Sequence, residues 1–141
     1  MPDWVNRGSG RFVMTASAAG LLNQIGSASY SCTKHAAVSL AESILIEHGD
    51  EGIKSHCICP QYVRSNMTKG IPMAEDSKDG FLEPIDVANA LKAAIVAEEF
   101  FVYPHPVVKN YFINRAMHSD AYLSGMRKLK AKVGQAFKNK G

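Results

Sequence analysis

The sequence predicts an α/β fold built on a parallel sheet, and three observations predict it. Two short apolar runs, Arg11 to Ser17 (RFVMTAS) and Ile53 to Cys59 (IKSHCIC), are separated by a whole helix-length segment, so they should be parallel neighbours joined by a crossover. A third apolar run, Phe100 to Tyr103 (FFVY), follows an amphipathic stretch that opens at Pro84. The 141 residues, 46% hydrophobic and 21% charged, have the balance of one globular domain with a sizeable core.

The elements follow in order. Gly8-Ser9-Gly10 leads into the first strand, and the small and polar residues from Ala18 to Ser27 read as a loop. Ala28 to His48 is rich in Ala and Leu, with Ser27 or Ser29 available as cap and Gly49 just past its end. It is apolar over most of its circumference, which predicts a helix packed on more than one side. Pro60 ends the second strand. Gln61 to Leu82 is polar, irregular and longer than compact domains usually tolerate without a function, as lids are. Val87, Ala88, Leu91, Ala94 and Ile95 then recur at the spacing of one buried helical face. Beyond Pro104-His105-Pro106, residues 107–140 read as helical with a break near Ser119 to Gly125, and Met126, Leu129, Val133 and Phe137 form a narrow stripe.

Composition excludes several classes. No apolar run reaches the length of a membrane span and no signal peptide opens the chain, so the expected location is cytoplasmic. Three cysteines in such a chain argue for reduced thiols. Cys57 and Cys59 are expected as buried small hydrophobes pointing to opposite faces, not as a metal or redox pair. The five histidines show no paired metal spacing, so all are read as surface or packing residues and no metal site is expected. His105, held between two prolines, stands out among them. The formal charge of +3 is uneven, because the last sixteen residues carry Arg127, Lys128, Lys130, Lys132, Lys138 and Lys140 and no acid. Ten bases against thirteen acids remain before them. Such a tail suits an anionic partner or surface, although a solvated helical face is the commoner reason for one.

Chemistry enters at Tyr30-Ser31-Cys32-Thr33-Lys34. Tyr and Lys four apart share one helical face, about 5–6 Å between Cβ atoms, so the ammonium can favour the phenolate. An ordinary Tyr, with a pKa of about 10, is no base at pH 7, and lowering it by about three units takes roughly 4 kcal/mol. Ser17 lies thirteen residues earlier at the C-terminal end of a predicted strand, the edge at which open α/β sheets bind ligands.

Thr15-Ala16-Ser17-Ala18-Ala19-Gly20, Tyr30-x-x-x-Lys34-His35-Ala36-Ala37 and Ile58-Cys59-Pro60-Gln61-Tyr62-Val63-Arg64-Ser65-Asn66-Met67, in that order, resemble the second half of a short-chain dehydrogenase/reductase. The resemblance covers roughly residues 5–100. It implies a Rossmann-like parallel sheet with flanking helices and an NAD- or NADP-dependent oxidoreductase that interconverts an alcohol and a carbonyl. Tyr30 would then be the general acid/base and Lys34 would lower its pKa and hydrogen-bond the nicotinamide ribose. Ser17 would hold the reacting oxygen, and Pro60, Gln61, Val63 and Ser65 would border the nicotinamide. Gln61 stands where the family usually has glycine, and Tyr62 and Met67 border the segment expected over the substrate.

The glycine-rich strand-to-helix turn that receives the pyrophosphate has no counterpart, nor has the family's proton-relaying asparagine. The expectation is therefore a single incomplete domain over 1–141 with the N-terminal half missing: a catalytic half over 5–100 and a basic helical extension over 107–141. Its partners would be a small alcohol or carbonyl substrate and further copies of itself, with no nucleic acid and no membrane span. The alternative is a truncated, non-catalytic interaction module that associates through the Ala28 to His48 helix.

Overall fold

The computed structural model describes residues 1–69 and 79–138, with side chains described up to residue 134. A short helix, α1 (Pro2–Asn6), leads into β1 (Gly10–Thr15), and α2 (Ala28–His48) crosses to β2 (Ile53–Ile58). Next come α3 (Pro84–Ala97), β3 (Phe101–Val102), α4 (Val107–Met117) and α5 (Ser119–Lys138). The strands form a parallel sheet in the order β1-β2-β3, running from Gly10 opposite Ile53 to Thr15 opposite Ile58, with Cys57 and Ile58 opposite Phe101 and Val102.

Helix α2 has the bounds its composition predicts, with Ser27 and Gly49 at its two ends, but neither residue caps it in the usual way. Ser27 makes no side-chain cap; Ser31 Oγ donates to the Ser27 carbonyl (3.3 Å) and accepts the Gln24 N–H (2.9 Å). At the other end Gly49 stays right-handed and the chain continues as a 3₁₀ turn, Gly49–Glu51. The reversal falls on Gly52 (φ 82°), where a Cβ would lie 2.0 Å from the Gly8 carbonyl oxygen, so only glycine lets α2 return into β2.

The sheet separates two apolar layers. On one face Ala16, Ala18, Leu21, Val38, Ala41, Cys57, Cys59 and Val108 form the larger core, backed by Phe101, Tyr103 and Phe112. On the other, Ile58, Ala94 and Val102 pack with Val87, Ala90 and Leu91 of α3. Ala88 is exposed, so the buried face of α3 is rotated from the expected one and Ala90 takes its place. Nor is α2 enclosed on several sides: it buries Ser31, Val38 and Ala41 while Leu40 and Ile46 are 51% and 82% exposed.

Cys57 and Cys59 share one face, as a strand's two-residue period requires, with their sulfurs 3.9 Å apart. The expectation of opposite faces is thus corrected. The hydrogen bond to Cys57 and burial push the Cys59 thiol far up, so it stays protonated within the core. His56 is a packing residue: fully buried, it donates from Nδ1 to the Glu99 carbonyl (2.6 Å) and receives Arg11 at Nε2. β3 is shorter than expected because its ladder with β2 ends at Cys59, whose N–H bonds Val102, and Pro60 has no N–H to continue it. The break between the last helices falls at His118, just before the expected interval.

Part of the Gln61 to Leu82 segment, and the side chain of Phe137, lie outside what is described. The described ends of that segment meet in a bridge between Val63 and Leu82. Among the described residues no group of His, Cys, Asp and Glu is arranged to hold a metal, and no helix is long and apolar enough to cross a membrane.

Candidate active site

The C-terminal edge of the sheet gathers three chain segments. Beyond β1 the backbone stays paired to the end of β2, Ala16 N–H bonding the Ile58 carbonyl (2.9 Å) and Ala18 N–H the Pro60 carbonyl (2.7 Å). Ser17, between them, is buried at 8% exposure. Its Oγ accepts the Ala19 N–H (3.1 Å), capping the 3₁₀ turn Ala18–Gly20, and lies 3.5 Å from the Pro60 carbonyl. A Cβ on Gly20 would sit 2.6 Å from the Lys34 carbonyl oxygen, so glycine is what lets this turn lie directly on α2.

Helix α2 answers from its first two turns. Lys34 Nζ donates to the Thr15 carbonyl at the tip of β1 (3.0 Å) and stands 5.7 Å from the centre of the Tyr30 ring. Tyr30, Lys34 and the strand end that carries Ser17 therefore meet at one edge. His35, on the next position, donates from Nδ1 to the Ser31 carbonyl (2.8 Å) and accepts Arg115 at Nε2 (3.1 Å). Arg115 of α4 also reaches the Leu21 carbonyl, fastening the segment between Ser17 and Tyr30 to the body.

The third segment follows β2, and here the structure shows a network that sequence reasoning missed. Gln61 donates its backbone N–H to His105 Nδ1 (3.2 Å) and its side-chain amide to Asp79 (3.3 Å), and Tyr111 Oη donates to both oxygens of Asp79 (3.2 Å). Val63 and Ser65 are fixed by Thr68, whose Oγ1 donates to the Val63 carbonyl (2.7 Å) and accepts the Ser65 N–H (3.0 Å). Gln61 is not in the left-handed region, so the usual glycine is not needed for backbone reasons. The only signal for the network was the rigid Pro-His-Pro turn, which delivers His105 almost fully buried. Burial pushes its pKa below the usual value, against the opposing Gly80 carbonyl and Asp79 carboxylate. Burial also raises Tyr103, to about 12, and Tyr62. An open cleft of about 190 Å³ between α3, β3 and α4 contains none of Ser17, Tyr30 and Lys34.

A parallel sheet whose C-terminal edge presents Ser, Tyr and Lys from a strand end and the crossing helix defines a class: the chain belongs to the short chain dehydrogenase family, whose model matches residues 1–76. Among curated relatives it is 36% identical over 88 residues to meso-2,3-butanediol dehydrogenase of Serratia marcescens, covering 62% of this chain and 34% of that one. It is 30% identical over 106 residues to epidermal retinol dehydrogenase 2 of Homo sapiens, covering 73% and 34%. The fold matches a short chain dehydrogenase of Burkholderia cenocepacia in complex with NADP at a TM-score of 0.72 and 18% identity, over 85% of this chain and 48% of the other. The chain thus spans about a third of the length of these curated relatives.

Proposed function

We propose that this chain carries the proton-handling part of an NAD- or NADP-dependent oxidoreductase that interconverts an alcohol and a carbonyl on a small organic substrate. The observation that carries the reading is the seat of Lys34: its ammonium bridges the tip of β1 and the Tyr30 ring, joining the strand that leads into Ser17 to the helix that bears Tyr30. In the oxidising direction Tyr30 Oη takes the proton of the substrate hydroxyl; in the reducing direction it gives one to the carbonyl oxygen. Lys34 supplies a positive charge beside the Tyr30 ring, and the Ser17 hydroxyl donates to the oxygen on which charge develops. For Ser17 to do so its Oγ–H must turn from the Pro60 carbonyl, a weak partner at 3.5 Å.

The residues present suit one end of the dinucleotide. Tyr30 and Lys34 offer hydroxyl and ammonium donors to a ribose, and the Pro60–Ser65 segment, tied down by His105 and Thr68, offers backbone groups to the carboxamide. The nicotinamide, when bound, supplies or accepts the hydride. Neither β1 nor β3 passes into its helix through a glycine-rich turn, so no pyrophosphate cradle exists among the described residues. The 141-residue chain is accordingly expected to bind NADH and NADPH more weakly than micromolar in a fluorescence titration. A chimera with a relative's dinucleotide segment placed ahead of residue 1 tests the activity, as ketone-dependent oxidation of NADH or NADPH. A chimera that binds cofactor but turns over no carbonyl or alcohol across a broad panel would overturn the reading.

A second reading, a non-catalytic association module, is favoured by one observation, the exposed Leu40 and Ile46 on the outer side of α2. It predicts that the chain associates with copies of itself whether or not a dinucleotide is present.

A further inference from the structure

We propose that α5, beyond its first turn, is an interfacial helix that lies flat on an anionic phospholipid surface. The first turn belongs to the body: Tyr122 Oη accepts the Asn23 N–H (3.0 Å) and its ring receives Arg115. From residue 123 to residue 134, roughly 18 Å of helix at the standard rise, no hydrogen bond, ion pair or ring contact ties a described side chain to the rest of the molecule, and neither core cluster includes a residue of α5. A Cβ at Gly125 or Gly134 would meet nothing, so the helix has open space on its flanks as well.

The free part is strongly two-sided. Met126, Leu129 and Val133 recur at i, i+3 and i+7, continuing the side on which Tyr122 meets the body, and Leu129 is 42% exposed. Arg127, Lys128, Lys130 and Lys132 are all exposed, and no acid follows Asp120. This pattern decides between occupants. A protein interface large enough to cover so thin a stripe would have to desolvate the lysines beside it, and lysine is depleted in such interfaces. A nucleic acid would use the cations but has no need of the stripe. At a bilayer surface the stripe enters the acyl boundary while the lysine stems lie along it and the ammonium groups reach the lipid phosphates. No helix among the described residues is long and apolar enough to cross a membrane, so the contact proposed for α5 is with the surface and not a span.

The test is flotation of the full chain with vesicles of phosphatidylcholine containing about 30% phosphatidylserine, against vesicles of phosphatidylcholine alone. Binding to the anionic vesicles should be at least about tenfold stronger and should largely disappear at about 0.5 M salt. Lys128→Glu/Lys132→Glu and Met126→Asp/Leu129→Asp should each reduce it by about tenfold or more with an unchanged circular dichroism spectrum. These positions are solvent-facing or half-buried on the part of α5 that belongs to neither core cluster, so folding should survive; Lys128→Ala/Lys132→Ala provides a milder charge variant with a smaller loss. Equal binding to both vesicle types, no binding to anionic vesicles, or binding indifferent to the charge variants would each overturn the proposal. So would capture of duplex DNA, or self-association abolished by Leu129→Asp, in a chain that ignores anionic vesicles.

Discussion

Individual residues carry the sharpest consequences. In a chimera able to bind cofactor, Tyr30→Phe should cut hydride transfer by about three orders of magnitude while weakening cofactor binding only by about tenfold or less, since it deletes one ribose donor and little volume and leaves Lys34 in place. Lys34→Ala should weaken both, because its ammonium also ties α2 to the tip of β1, and Ser17→Ala should act mainly on kcat. Cofactor titration beside steady-state turnover separates the three, and near-normal turnover by Tyr30→Phe would remove Tyr30 from the mechanism. That these three residues lie near one sheet edge was legible because local spacing carries it: two residues four apart on one helix, and a serine just past a strand end. His105 was not, because its role comes from a partner 44 positions away that no local pattern links to it. Its folded pKa lies below the unfolded 6.5, so the native state resists a proton that the unfolded chain accepts. Stability at neutral pH is therefore unaffected by this group and falls as pH drops through 6.5, by at most about 1.4 kcal/mol per pH unit, until the folded value is passed. Thermal unfolding from about pH 7.5 to 5 should show a steeper loss for the native chain than for His105→Gln, and parallel curves would exclude the histidine as a source.

At the scale of elements, strand and helix identities were legible from periodicity, and the departures have common physical reasons. Past the end of α2 the chain reversal falls on Gly52 instead of Gly49, and β3 shrank, because tertiary partners decide termini: the Gly8 carbonyl for one, the end of the neighbouring ladder for the other. The buried face of α3 rotated because Ala88 and Ala90 are the same residue type, and only the sheet chooses between them. Two glycine substitutions make the contrast measurable. Gly52→Ala should cost about 2–4 kcal/mol, combining a left-handed backbone with the collision at Gly8. Gly125→Ala, in open space on α5, should stabilise that helix by about 0.5–1 kcal/mol. Chemical denaturation and helicity of the two variants check this, and a harmless Gly52→Ala would mean that the β2 entry is not closed as described.

For the whole molecule, what is left uncovered matters as much as what is packed. β1 pairs on one side with β2 and, among the described residues, has no strand on its other side. Along α2, Leu40 and Ile46 point away from the core although the sequence made this helix apolar nearly all round. An unpaired strand edge and an apolar helix face both favour contacts with another chain, and a second copy presents the same two surfaces. The purified chain should therefore be larger than a monomer in sedimentation velocity, increasingly so with concentration. Because burial at α2 is apolar, high salt should not dissolve the assembly, whereas Leu40→Glu/Ile46→Glu should shift it toward monomer without unfolding the core, since neither side chain packs within it. Persistence of the assembly in that variant would assign it to the β1 edge, and a monodisperse monomer of the native chain would show that neither surface is sticky enough to act.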